Sequence, residues 1–451
     1  MCISEVFKLL VKEILEIEGA KLINGSQRNK IDSFTINTNE LKGKTMFFPL
    51  KGNTNGHNYI LNGVKNKLAG FFVEKGHEDI IEKAIKQNNK IIIIEVEDCK
   101  KALIELAKIV RNKLDIPVIA LTGSYGKTSQ REMIYSVLKT KYNVLVTQKN
   151  YNNNIGMPLT LVNYNNEDVI LLELGSNHMG EIKVLREICR PTITLITNIG
   201  TAHIGNFKNI KNTAKEKGSI TVGSEYFFQN EDDNLIKKVK AKGSKVIPYS
   251  IEETTNIIKG KKSRYTYTVN GKRYKITINS DLEYLITYSL CALKIGLLLD
   301  IDMKSIIKGI AEFTPAPSRM EKKQIGKTFI IDDCYNASYE TMISGLEYFS
   351  RQRCTNKIVV LGDILELGKQ TRKIHKEIAK TIEKRKYNFK EIHLVGPQME
   401  NVYKYLKKKG FENIYYYTSV DEINKKDLKN KNIYLKASHG IGLSKLIDKL
   451  M

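Results

Sequence analysis

The chain has 451 residues, with 73 Lys+Arg against 49 Asp+Glu, giving a formal charge of +24. At roughly 100–200 residues per domain such a length predicts about two to four domains. A composition of 27% charged and 41% apolar residues excludes collagen-like, mucin-like and disordered classes. The lysines are spread along the whole chain, and clusters such as Lys259–Lys262 and Lys407–Lys409 have no interleaved aromatics. The charge therefore reads as solvated faces; no nucleic-acid partner is expected, and an anionic small substrate fits better.

At the N-terminus, Val6, Leu9, Leu10 and Ile14 stand at helical spacing, which predicts an amphipathic first helix and not a leader. The longest apolar runs, such as Ile91–Ile94 and Leu297–Leu299, fall far short of the ~18 residues that span a bilayer. A cytoplasmic protein without membrane insertion is expected. Cys2, Cys99, Cys189, Cys291, Cys334 and Cys354 are scattered and form no CxxC, so they read as thiols of a reducing compartment, not a zinc or redox site. Residues 31–98 alternate short strands (Thr45–Pro49, Gly70–Val73, Lys90–Val96) with helical stretches, and Lys100–Lys113 reads as a connecting helix. A buried strand, Ile116–Thr122, opens a second unit whose strands at 143–147, 169–174 and 193–198 alternate with helices, the pattern of a doubly wound α/β domain. Past Thr314-Pro-Ala-Pro-Ser318 come further strands at Thr328–Asp332, Lys357–Leu361, Ile392–Val395 and Asn432–Leu435. Three α/β domains are predicted: residues 1–113, 114–315 and 316–451.

Thr122-Gly-Ser-Tyr-Gly-Lys-Thr-Ser129 follows the buried strand and precedes a helix reaching about Lys139. Helix N-terminal N–H groups face anions. Gly123 and Gly126 would let the backbone approach phosphates, Lys127 would reach the terminal ones, and Thr128 could ligate magnesium. The full phosphate-loop pattern has four residues between its glycines and this segment has two, so a plain helix-capping turn is the alternative to an ATP site.

Further segments, in order, are NYNNNIGMPLTL (150–161), LLELGSNHMGEI (171–182), TNIGTAHIGNF (197–207), AKEKGSI (214–220), SRMEKK (318–323), IDDCYNASYETM (331–342), VVLGDILELG (359–368) and LKASHGIGL (435–443). Together with TGSYGKT they resemble the Mur ligases, ATP-dependent amide-forming enzymes of peptidoglycan synthesis. NHMGEI with VLGDILELG resembles the members that add D-alanyl-D-alanine to UDP-N-acetylmuramoyl-tripeptide. The resemblance implies an N-terminal UDP-sugar domain, a central ATPase domain and a C-terminal Rossmann-like domain. It implies ATP and Mg2+ as cofactors, a UDP-muramoyl-peptide and D-Ala-D-Ala as partners, and a monomer.

By the same resemblance Lys127, Glu173, His203 and Lys217 carry catalysis. Thr128, Glu173, His203 and Lys217 would hold metal, the last as a carbamate, because a bare lysine cannot ligate a hard cation. Gly123, Ser124, Gly126, Lys127, Thr128, Ser129, Arg319 and Asp333 would bind nucleotide; Thr38, Asn153 and Asn336 would bind substrate. The residues alone leave other readings open: Glu173 as a turn cap, His203 as a surface histidine, Lys217 as a solvated helix lysine with Lys215 as its rival. Asp363 and Glu366 are expected to be architectural or dipeptide-site residues. Asn37-Thr38-Asn39 stands where the family has Asp-Ser-Arg, the His–Asn pair is missing around Asp281–Tyr284, and His439 stands where arginine is common. A ligase of the same mechanism acting on another carboxylate and amine is therefore the alternative; a non-ligating nucleotide-binding protein fits less well, because all four catalytic candidates are present.

Overall fold

The computed structural model describes residues 8–241 and 243–451. Cys2 and Val6 lie outside them. The expected first helix begins only at Val11 and ends at Ile14, because Leu9–Leu10 pairs antiparallel with Lys30–Ile31. Leu9, Val11 and Ile14 are nevertheless buried, so the spacing had identified the inward face and not the whole backbone state.

Three main sheets follow one another along the chain. The first runs Lys21–Asn24, Ile92–Val96, Gly70–Glu74, Thr45–Phe47, Ser33–Thr35, parallel except for its first strand. The second has six parallel strands in the order Lys245–Tyr249, Tyr226–Asn230, Ile193–Ile196, Val118–Thr122, Val169–Glu173, Val144–Val146. The third places Glu321–Ile325 antiparallel beside Thr328–Asp332, then continues in parallel through Asn432–Lys436, Lys357–Gly362, Glu391–Val395 and Ile414–Tyr417.

The central strand is apolar throughout because helices cover both faces. Val118 and Ala120 pack into the core shared with helices Cys99–Asn112, Gly156–Val162 and Glu181–Cys189, while Ile119 and Leu121 face helices Lys127–Leu138 and Tyr284–Leu298. An antiparallel three-stranded sheet, Thr254–Ile258, Ser263–Val269 and Lys272–Ile278, was not foreseen. It packs Tyr265, Tyr267, Ile276 and Ile278 into that second core.

The helix Cys99–Asn112 starts with Asp98 accepting the Lys101 N–H at 2.7 Å. It is more than a connector, since it packs on helices of the central unit. Near its end the buried Arg111 donates from Nε to the Cys189 carbonyl at 2.8 Å, from Nη1 to Leu114 at 2.7 Å and from Nη2 to Arg190 at 3.0 Å. Arg111→Leu would strand those carbonyls and is expected to lower the unfolding free energy by about 2–4 kcal/mol. Urea unfolding followed by circular dichroism measures it; an unshifted midpoint would mean the carbonyls find other donors.

Candidate active site

The loop 123–126 sits at the carboxyl end of the central strand, between the ends of Val169–Glu173 and Ile193–Ile196. Open α/β sheets place ligands at such a position. Gly126 has φ +72°, and a Cβ there would come within 1.9 Å of Tyr288 Oη. Behind the loop the segment 197–200 holds its shape. Ser124 N–H donates to the Asn198 carbonyl at 3.1 Å, Tyr125 N–H to Asn198 Oδ1 at 2.9 Å, and Thr197 Oγ1 to the Tyr125 carbonyl at 2.7 Å. Ser124 Oγ accepts from Gly200 N–H at 2.8 Å, so it braces the loop from behind. Ser129 is buried in the first turn of the helix. Lys127 Nζ lies 2.8 Å from its own loop's Gly123 carbonyl; burial lowers its pKa and Glu173 opposes that shift.

Glu173, at a strand end, is the hub of the polar cluster. It accepts from Thr128 Oγ1 at 2.9 Å and from Asn152 Nδ2 at 2.9 Å, faces Arg131 Nη1 at 3.4 Å, and donates its own N–H to Thr147 Oγ1 at 3.0 Å. Asn152 and Arg131 were not anticipated. Arg131 lies one helical turn after Lys127, a spacing that places both on one side.

Lys217 is 1% exposed, with Nζ 2.8 Å from Ser176 Oγ and 5.5 Å from the Phe207 ring centre. Burial first, and then the Lys127 charge, bring its pKa down to about 7. Lys215 shows no such setting, and its neighbour Glu216 instead caps the turn at Gly180 and Ile182, accepting their N–H groups at 2.6 and 2.8 Å. His203 adopts φ +56° and is mostly buried; burial lowers its pKa while the Glu366 carboxylate at Nδ1 opposes that.

The third sheet's unit closes over this cluster. Arg319 donates from Nη2 to Thr128 Oγ1 at 2.8 Å, and its guanidinium stacks 3.9 Å from the Tyr335 ring centre. Gly205 N–H donates to the Glu366 carbonyl at 3.2 Å, and a Cβ on Gly205 would fall 2.5 Å from Gly368 N. Glu366 is thus an interdomain contact. Asp363 is architectural, accepting the Gln398 and Met399 N–H groups at 3.0 and 2.8 Å. Glu340, which the sequence did not single out, clasps Thr201 by accepting its N–H at 2.9 Å and its hydroxyl at 2.8 Å. Thr201 adjoins Gly200, so Glu340 is a positioning residue for the phosphate-loop brace. Glu340→Ala is expected to lower kcat/KM for ATP about five- to thirtyfold, as for a lost charged hydrogen bond that is half-screened. Thr201→Val keeps the N–H bond and should lose less, and the double variant should lose no more than Glu340→Ala; additive losses would dissolve the clasp.

The other candidates are less central. Asp333 is buried against Lys436 Nζ at 2.6 Å and Tyr434 Oη at 3.1 Å; burial raises its pKa and Lys436 pulls it back. Asn336 Oδ1 accepts from Ala337 N–H at 2.8 Å, and Asn153 Oδ1 from Gly156 N–H at 2.9 Å, so both side chains shape turns and stay exposed. Thr38 lies apart from the cluster, in a cleft of about 190 Å³ lined by Asn37, Asn39, Phe47, Leu50 and Tyr59.

Residues 121–292 match the Mur ligase middle domain and residues 318–433 the Mur ligase, glutamate ligase domain. The UDP-N-acetylmuramoyl-tripeptide–D-alanyl-D-alanine ligase of Buchnera aphidicola subsp. Baizongia pistaciae is 31% identical, covering 93% of this chain and 92% of its own length. The ligase of the same name from Bacillus subtilis is 28% identical over 99% of both. Among solved structures, MurF from Acinetobacter baumannii shares the fold with a TM-score of 0.86 at 22% identity over 99% of each chain. MurF ligase from Thermotoga maritima in complex with ADP gives 0.75 at 22% identity, over 93% of this chain and 96% of its own. The two matched domains, with a relative 31% identical over more than nine tenths of both chains, place the chain in the Mur ligase family of ATP-dependent, amide-forming enzymes.

Proposed function

We propose that this enzyme joins D-alanyl-D-alanine to UDP-N-acetylmuramoyl-tripeptide in peptidoglycan precursor synthesis. The reading is carried by relatives of that name that align over 93% and 99% of this chain. It is supported by the cluster of Lys127, Thr128, Glu173, Lys217 and Arg319 around one phosphate loop. A carboxylate oxygen of the tripeptide attacks the terminal phosphorus of ATP, ADP leaves, and an acyl phosphate forms. The amine of D-Ala-D-Ala then attacks the acyl carbon, loses its proton, and phosphate departs from the tetrahedral intermediate. Negative charge builds on phosphoryl oxygens throughout, so cations aimed there lower the barrier. Lys127 and Arg319 are those cations, one from each side of the domain border. Closing that border excludes water from the acyl phosphate.

The donor set fits magnesium. Among the described residues no three His, Cys, Asp or Glu gather into a cage, and the cluster offers one hydroxyl and one carboxylate. Mg2+ is held by such sparse oxygen sets, with waters and substrate phosphates completing its shell. Thr128 and Glu173 would hold one ion; His203 and a carbamylated Lys217 would hold a second. Bound there, the ions neutralise phosphoryl charge. Carbamylation needs an unprotonated amine, whose lone pair attacks CO2 with loss of a proton, and a lysine brought down to about 7 supplies it.

Residues 1–113 would form the UDP-sugar domain, 114–315 the ATPase domain and 316–451 the closing domain, working as a monomer in the cytoplasm. No helix among the described residues is long and apolar enough to cross a membrane. Asn37-Thr38-Asn39 lines the cleft proposed for the UDP-sugar, and His439 lies 6.4 Å from the Tyr335 ring. These two departures favour the second reading, another carboxylate and amine. Phosphate release from ATP, with magnesium and bicarbonate, decides between them: it should require both D-Ala-D-Ala and UDP-muramoyl-tripeptide and yield the amide by mass. Release indifferent to the muramoyl nucleotide would sink the primary reading.

A further inference from the structure

The three-stranded antiparallel sheet buries one face, and on the other its basic side chains are exposed around a buried Thr266. Residues directly opposite one another across an antiparallel pair share a face. Ile258 pairs with Arg264, Thr266 with Lys275 and Thr268 with Arg273, so Ile258, Arg264, Lys275 and Arg273 stand together on the side away from buried Tyr265, Ile276 and Ile278. Residues 254–280 carry seven Lys and Arg and no Asp or Glu. Lys259 reaches Glu283 at 2.7 Å. Among the described residues, Lys261, Lys262, Arg264, Lys272, Arg273 and Lys275 have no ion-pair partner. Beside them, at the end of the edge strand, Ile257 and Ile258 are 38% and 57% exposed.

We propose that this basic face, with the exposed Ile258 on it, is a docking surface for an anionic phospholipid bilayer, on which the enzyme lies without spanning it. Exposed cations next to an anionic surface each add attraction, and it fades with salt. An exposed isoleucine among lysines and arginines suits an interface in particular: the apolar side chain enters the acyl boundary while the basic heads stay at headgroup level. A nucleic acid offers no apolar layer for the isoleucine, and base stacking would call for exposed aromatics, which this face lacks. None of these residues belongs to the cluster around Lys127 and Glu173, so docking leaves the reaction centre free.

The test is co-sedimentation of the full chain with vesicles of phosphatidylcholine containing about one third phosphatidylglycerol, against pure phosphatidylcholine. Binding is expected only to the anionic vesicles and should be released by added salt. Lys261→Glu, Lys262→Glu, Arg273→Glu and Lys275→Glu combined should weaken it at least tenfold. Ile258→Ser should weaken it severalfold at unchanged charge. Both variants should keep phosphate-release activity, which shows that they are folded. Failure to pellet with anionic vesicles, equal binding by the charge variant, or retention on a DNA duplex without vesicle binding would each overturn the proposal.

Discussion

Lys217→Met is expected to lower kcat for ligation about 10²–10³-fold, as for other lost transition-state electrostatics, while ATP still binds and the fold persists. Methionine keeps the length and apolar stem that pack near Phe207 and loses the contact of Nζ with Ser176 Oγ at 2.8 Å. A lysine that is 1% exposed costs stability in its charged form, and nothing acidic touches Nζ to repay it. That burial, joined by the Lys127 charge, takes the pKa down to about 7. The sign follows: below that value the ammonium dominates and cannot attack CO2; above it the neutral amine can. With the enzyme stripped of CO2 and dissolved CO2 then restored to one fixed level, recovery of activity should be roughly tenfold faster at pH 8 than at pH 6, following the neutral fraction. Isotope-labelled bicarbonate should give a carbamate resonance that Lys217→Met lacks. Parental turnover in the variant would reduce Lys217 to a packing residue.

What could be foreseen of this site followed how local its chemistry is. Gly126, Lys127 and Thr128 lie within one turn, and Glu173 ends a strand that announces itself as Val169-Ile-Leu-Leu. The alternation of strands and helices implied α/β units, and each expected strand is found to within a residue or two; the order of the strands, and outer strands such as Tyr226–Asn230 and Lys245–Tyr249, left no such signal. Contacts between segments distant in sequence left no such trace. Glu340 meets Thr201 from 139 positions away, and nothing in YNASYETM distinguishes a clasp from a helix-start glutamate. Asn152 sits inside a run of asparagines, where only the structure separates the one on Glu173 from Asn153, which makes a turn. The antiparallel sheet is a different case. Asn270-Gly271, with φ +48° and +76°, is the two-residue turn that most strongly marks a hairpin, and Tyr265, Tyr267 and Val269 alternate before it. The surrounding lysines give the same segment the look of a solvated charge run, which masks that signal. At the N-terminus the reverse occurred: helical spacing was real, but pairing with Lys30–Ile31 claimed Leu9–Leu10 for a strand, a tertiary contact overriding local pattern.

Glu173→Gln is expected to cost a comparable 10²–10³-fold in kcat, and more magnesium should not restore it. The substitution keeps size and removes charge. Thr128 Oγ1 and Arg131 Nη1 meet the same carboxylate oxygen, at 2.9 and 3.4 Å, and could still donate to an amide oxygen there, but the amide N–H₂ would then confront Asn152 Nδ2, itself a donor. Arg131 would keep Glu132 at 2.5 Å, so the helix should hold and thermal unfolding should shift little. What is lost is a full negative charge beside Lys127 and Arg131, one that could offset a divalent cation among these basic groups. Glu173→Asp separates charge from reach: it retains the carboxylate on a shorter arm, so its defect should appear as a raised requirement for magnesium, partly recovered at saturation. Titrating phosphate release against magnesium for the parent, Gln and Asp forms reads this directly. If Glu173→Gln stayed within about fivefold of the parental kcat at ordinary magnesium, the carboxylate would be a cap for Thr128 and Asn152, and the metal would have to be held elsewhere.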